Sequence, residues 1–208
     1  MAPNSPGYLD SADSSLFFET VKNLRETLDR LDETHWAAVR ALALDVFQSW
    51  KNGGKLLICG NGGSAADSQH IAAELIGRFL AERQGYAALA LTTNASILTA
   101  VGNDFGFNSI FSRQVQGLGG EHDVLLVIST SGNSSNCIAA VEEARVKNLK
   151  VHGFLGRDGG KLMKLVDSAL VAPSNHTPRI QEVHITMGHL LCQVLEEMMS
   201  AEQVAESD

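Results

Sequence analysis

Three features of this 208-residue sequence predict an α/β fold, a doubly wound parallel sheet preceded by a helical hairpin. From residue 55 onward, short apolar segments alternate with stretches of helical periodicity, the pattern of repeated βαβ units. The segments KLLIC, DVLLVIS and KVHGFLG do not alternate apolar with polar, so both faces of each strand are buried, as in a parallel sheet. The first and third strands run directly into turns rich in Gly or Ser, and each turn opens a helix.

The elements follow in order. Residues 1–13 are rich in Pro, Gly, Ser and Asp and predict a disordered tail. Residues 14–52 carry Leu, Val, Phe and Trp at three- and four-residue spacing, in FFETVKNLRETLDRL and ETHWAAVRALALDVFQSW. They predict an antiparallel hairpin whose apolar stripe packs on the next domain or joins subunits. Residues 53–200 form the sheet domain. KLLIC leads into the helix SAADSQHIAAELIGRFL, AALALTT into NASILTAV and a helix around IFSRQVQGL, and DVLLVIS into SNCIAAVEEARVKN. KVHGFLG and a shorter ALVAP follow, then a long terminal helix, TPRIQEVHITMGHLLCQVLEEMM. Residues 201–208 read as a loose tail.

Composition narrows the function. A net charge of −8 argues against a nucleic-acid groove, which needs basic patches. Cys59, Cys137 and Cys192 form no CxxC pair and lie in apolar or helical stretches, so they read as buried, inert thiols. MAPNSPGYLD has neither the basic region nor the apolar core of a secretory signal, and no apolar run approaches the roughly 18 residues of a membrane span. A soluble cytoplasmic protein is expected.

Ligands of doubly wound sheets bind beyond the carboxyl ends of the strands. The turn Gly60-Asn61-Gly62-Gly63-Ser64-Ala65 brings backbone N–H groups close to an anion at a helix N-terminus. It also fits the G-x-G-x-x-A dinucleotide pattern. That pattern needs an acidic residue after the second strand, where this chain has Thr92, Thr93 and Asn94. No G-x-x-x-x-G-K-[ST] loop is present. In Ser129-Thr130-Ser131-Gly132-Asn133-Ser134, five of six residues are Ser, Thr or Asn, whereas capping a helix needs one. Hydroxyls and amides converging at a helix N-terminus make a neutral phosphate cradle. Gly102-Asn103-Asp104-Phe105-Gly106 reads as a turn interrupting an apolar stretch, and alone could be only a loop.

His70 and Glu74, at i and i+4, share a helix face beside the first turn and could hold a metal or act as an acid–base pair. An ordinary surface pair is the commoner meaning of a lone H-x-x-x-E. Gln181, Glu182, His184 and His189 are polar insertions in the apolar terminal helix. Gln181 and His189 stand about 12 Å apart along an ideal helix and about 80° around it, so one ion reaches both only if the side chains lean together. His184 reads as packed or solvent-facing.

CGNGGSAADSQHIAAEL, VGNDFGFNSIFSRQV, ISTSGNSSN, GRDGGK and RIQEVH occur in that order. Together they resemble the phosphoheptose isomerases, the sedoheptulose 7-phosphate isomerases of the sugar-isomerase (SIS) domain class. The resemblance spans residues 55–199 and implies a flavodoxin-like three-layer sandwich in a homotetramer with sites near subunit interfaces. It implies phosphate contacts from Ser129, Thr130, Ser131 and Ser134, and substrate contacts from Asn61, Gly62, Gly63, Ser64, Asn103, Asp104 and Gln181. It further implies one zinc ion per subunit, on His70, Glu74, Gln181 and His189, with Glu74 as general base and His189 as general acid. Some members carry an acidic residue where this chain has Pro178, so a role for that acid does not transfer. Asp67 and Arg78 lie near the site in sequence.

The expected reaction converts D-sedoheptulose 7-phosphate to D-glycero-D-manno-heptose 7-phosphate through an enediol, the first step toward nucleotide-activated heptose. Two other classes share the glycine and serine turns: a non-catalytic SIS adaptor that binds a replication initiator protein, and another sugar-phosphate isomerase or sensor. An adaptor has no chemical need for Glu74 and His189.

Overall fold

The structure, a computed structural model, describes residues 12–205. Helices α1 (Ala12–Leu28) and α2 (Glu33–Lys51) come first. Asp32 caps α2: its carboxylate accepts from the Thr34 amide, while the His35 ring accepts from the Asp32 backbone N–H. The strands are β1 (Leu56–Gly60), β2 (Ala88–Ala90), β3 (Val124–Ser129), β4 (Lys150–Gly156) and β5 (Ser168–Ala172). They form one parallel sheet in the order β2-β1-β3-β4-β5.

Between the strands lie α3 (Gly63–Ile76), α4 (Ala95–Phe105), α5 (Ser112–Leu118) and α6 (Ser135–Val146), and α7 (Thr177–Ala205) closes the described chain. The central strands bury both faces because successive side chains alternate between two apolar layers. Leu56, Ile58, Leu126 and Ile128 pack with α2, α3 and α7, whereas Leu57, Cys59, Leu125 and Val127 pack with α5 and α6. The result is a three-layer α/β sandwich. The second helix of the hairpin belongs to the first layer, through Val39, Leu42 and Val46. The first helix leaves Leu16, Phe17, Phe18 and Val21 exposed.

Several expectations need correction. The N-terminal tail predicted over 1–13 lies outside the described residues except for its last two, which already belong to α1. The loose tail predicted over 201–208 is helical as far as Ala205, and 206–208 lie outside the described residues. Glu202 pairs there with Lys51 at the end of α2, which ties the last turns down. The segment AALALTT supplies only three strand residues, since β2 is an edge strand with one neighbour. The predicted turn at Gly102–Gly106 is helical through Phe105. Asn94 caps that helix, and Gly106, at φ +83°, ends it.

Candidate active site

The sheet order places a topological switch between β1 and β3, where helices leave toward opposite faces and open a crevice. Gly60 pairs with Ile128, so the two strands end level and their turns emerge side by side.

After β3, Ser134 stands at the N-cap of α6 yet makes no side-chain capping bond. Its hydroxyl instead meets that of Ser129 at 3.1 Å. Thr130 and Ser131 are half-buried beside them. Ser131 Oγ accepts from the Asn133 amide within the turn. Gly132 turns the chain at φ +63°, and a Cβ there would lie 1.9 Å from the carbonyl oxygen of Gly159. The turn is thus seated on the GRDGGK segment, whose Lys161 N–H donates to Asn133 Oδ1, while the next residue, Leu162, donates its N–H to Gly132 O. No Lys or Arg side chain bonds to this cradle among the described residues.

After β1, Gly62 has φ +57° and precedes α3. Ser64 is buried in the first turn of that helix. A Cβ on Gly63 would come within 2.2 Å of Gln181 Nε2, so the Gln181 amide of α7 lies directly on the start of α3, and a larger residue at 63 would make that side chain swing away. Two turns further, His70 Nε2 lies 2.9 Å from His189 Nε2 and 3.5 Å from Glu74 Oε1. Phe79 stacks on the His189 ring at 5.8 Å. Arg83 anchors this stretch: its guanidinium bonds the carbonyl oxygens of Glu74 and Leu75 and the buried Glu196 carboxylate.

At 2.9 Å the two Nε2 atoms are at hydrogen-bond distance, with the N–H of one ring donating to the lone pair of the other. Nitrogens bound to one tetrahedral zinc stand about 3.3 Å apart, so the imidazole pair and Glu74 suit zinc in donor type and nearly in spacing. As placed, however, no group of three or more His, Cys, Asp and Glu among the described residues could hold a metal ion. Gln181 rests on Gly63, about 10 Å up the helix axis from His70.

The structure thus brings together His70, Glu74 and His189, and separately the hydroxyls of Ser129 and Ser134. Asn103 and Asp104 are exposed, and the Asn103 side-chain amide donates to the Asp104 carboxylate. Pro178 sits in the first turn of α7, where its missing N–H costs nothing. His184 is fully buried; its Nε2–H donates to Leu155 O, and burial holds its pKa down to about 4. Sequence reasoning passed over Asn136, Gly159, Arg83 and the state of Asp67. Burial pushes the Asp67 carboxyl up to about 6, against the pull of His70, and its Oδ2 has no hydrogen-bond partner among the described residues. Cavities of about 730 Å³ beside α1 and about 980 Å³ beside Asn133 and Lys161 do not include His70, Glu74 or His189.

The SIS (sugar-isomerase) domain family model matches residues 19–156 of this chain, whose glycine turn and hydroxyl turn lie at the β1/β3 switch of a 2-1-3-4-5 parallel sheet. Within that class, a phosphoheptose isomerase of a Nitratiruptor species is 49% identical over 173 residues, 83% of this chain and 92% of the relative. The structure of a phosphoheptose isomerase from Neisseria gonorrhoeae superposes with TM-score 0.78 at 43% identity, covering 88% of this chain and 96% of that one. That of a phosphoheptose isomerase from Francisella tularensis gives 0.80 at 39% identity, with the same coverage. The chain belongs to the phosphoheptose isomerase family.

Proposed function

We propose that this chain is an aldose–ketose isomerase that converts D-sedoheptulose 7-phosphate to D-glycero-D-manno-heptose 7-phosphate. The convergence of Glu74 and His189 on His70, two turns along the helix that follows the β1 turn, carries the reading, since neither a sensor nor an adaptor needs an acid–base group there. The substrate phosphate would lie on Ser129, Thr130, Ser131, Ser134 and the amides at the start of α6. The sugar would lie against Asn61, Gly62, Gly63, Ser64 and Gln181, with Asn103 and Asp104 reaching it as the site closes.

In the mechanism, Glu74 takes a proton from C1 of the ketose while His189 gives one to O2, leaving a cis-enediol. Glu74 then returns its proton to C2 as His189 recovers one from O1, and the carbonyl now lies at C1. Each residue ends in its starting protonation state, so no co-reactant is consumed. Zinc on His70, Glu74, Gln181 and His189 would supply charge stabilisation for the enediolate oxygens. Gln181 would join that set only by leaving Gly63. A ligated Glu74 is a weaker base, so its two roles compete.

The enzyme would act as a homotetramer. The exposed apolar side chains of α1 suit burial against another subunit, and the open setting of His70 and His189 suits closure by one. No helix among the described residues is long and apolar enough to cross a membrane, and a cytoplasmic location agrees with this. The test is to mix the purified protein with sedoheptulose 7-phosphate and follow the sugar by NMR, with and without added zinc. An aldose product is expected, and Glu74→Gln should abolish its formation while phosphosugar binding persists. No product under either condition refutes the reading. Turnover by the variant removes Glu74 from the chemistry.

A further inference from the structure

Asn136, the second residue of α6, is 2% exposed. Its side-chain amide exchanges two hydrogen bonds with that of Asn61. Asn61 Nδ2 donates to Asn136 Oδ1 at 2.9 Å, and Asn136 Nδ2 donates to Asn61 Oδ1 at 2.8 Å. Asn136 Oδ1 also accepts from the Cys137 amide at 3.0 Å, which locks the ring of bonds to the backbone of α6. The second hydrogen on Asn61 Nδ2 faces the Cys137 thiol at 3.9 Å.

Both polar atoms of the Asn61 side chain are therefore engaged within the protein. The carbonyl oxygens of Asn61 and Gly62 are engaged as well, by the amides of Ser64, Ala65 and Ala66 at the start of α3. What the turn offers outward is its backbone N–H groups. Their position depends on what holds Asn61, and that holder is Asn136. The same residue lies two positions beyond Ser134 in the hydroxyl turn, so one amide pair joins the two turns across the crevice.

We infer that Asn136 is a positioning residue: it clamps the Asn61 amide and so holds the sugar-side turn and the phosphate-side turn in fixed register. Asn61 then serves substrate through its main chain, not its amide. The inference rests on the proposed isomerase reading for its catalytic consequence, though the clamp itself is a property of the fold. A buried, reciprocal amide pair fits this role because neither partner can swing without leaving two polar atoms unpaired.

A double-mutant cycle on sedoheptulose 7-phosphate turnover tests it, with urea midpoints measured alongside. Asn136→Ala should lower kcat/KM about 10- to 100-fold, the scale of a misplacement of about 1 Å at a reacting centre. Asn61→Ala, at a half-buried position, should cause a similar loss, and the double variant should be little worse than either alone. A purely structural role would instead lower the urea midpoint and leave kcat/KM per folded enzyme unchanged. That result, or losses that multiply in the double variant, overturns the inference. If the wild-type protein shows no turnover, the isomerase reading fails and the clamp is judged by NMR of the Asn61 side-chain amide. Its protons should be protected from exchange in the wild type and unprotected in Asn136→Ala. Equal protection in both would refute the clamp.

Discussion

Gly132→Ala gives the sharpest test of how the hydroxyl turn is built. Gly132 has φ +63°, where a Cβ costs about 1–2 kcal/mol. The added carbon would also lie 1.9 Å from Gly159 O, 2.3 Å from Gly159 C and 2.8 Å from Gly160 N. These are backbone atoms, so no rotamer change relieves the overlap. The segment around Gly159 must retreat, which adds about 1–3 kcal/mol of overpacking and about 1 kcal/mol for the Leu162 N–H bond to Gly132 O. The total is about 3–6 kcal/mol. Gly53→Ala is the control, because Gly53 shares the backbone conformation at φ +76° but nothing lies within 4 Å of its Cβ position. It should cost only the conformational part, about 1–2 kcal/mol. Urea unfolding followed by circular dichroism measures both, and calorimetry with inorganic phosphate reports on the cradle. Gly132→Ala should unfold at markedly lower urea than Gly53→Ala and lose phosphate binding. Equal midpoints for the two variants would show that the GRDGGK segment does not brace the turn.

Three further outcomes follow from the same structure. Burial holds the His184 pKa near 4, below the about 6.5 expected in the unfolded chain, so the fold favours the neutral ring. That stability is present above about pH 6.5 and is lost as the pH falls toward 4, by about 3 kcal/mol in all. Urea midpoints at pH 7 and 4.5 should therefore fall less in His184→Gln than in the wild type, and identical falls would exclude His184 as the source. Arg83 and Glu196 form an ion pair with each side chain 6% exposed, so Arg83→Met strands a buried carboxylate and should cost about 3–5 kcal/mol in unfolding experiments; a loss under about 1 kcal/mol would mean that water reaches the pair. Zinc added to metal-free protein should raise the unfolding temperature in the wild type, and His70→Ala and His189→Ala should abolish the shift. A shift that survives both substitutions would place the ion elsewhere.

Much of the fold was legible because its signals are local. Leu56–Cys59 and Val124–Ile128 are continuous apolar runs, and burial on both faces is all that such a run can mean in an alternating βα chain. The turns at 60–65 and 129–134 were equally plain, since Gly and Ser cluster where a strand must give way tightly to a helix. Failures came where tertiary context outweighs local chemistry. Gly102-Asn103-Asp104 carries a turn composition, yet the chain continues helically to Phe105 because Asn94 caps the start and Gly106 supplies the stop. His184 differs from His189 in facing the sheet, where Leu155 O accepts a hydrogen bond from its ring N–H, and no residue type announces that.

Pattern and turn chemistry along the chain thus determined the fold class, the order of elements, the turns after β1 and β3 and the pairing of His70 with Glu74. These depend on periods of two, three or four residues, which a sequence displays directly. Only the tertiary structure decided that α3 and α7 lie side by side, with Gly63 under Gln181 and His70 against His189. It alone seated Gly132 on Gly159 and closed the amide ring between Asn61 and Asn136, residues 75 positions apart. Such contacts depend on how helices settle on a twisted sheet, a register set by the packing of the whole core and not written in any local stretch.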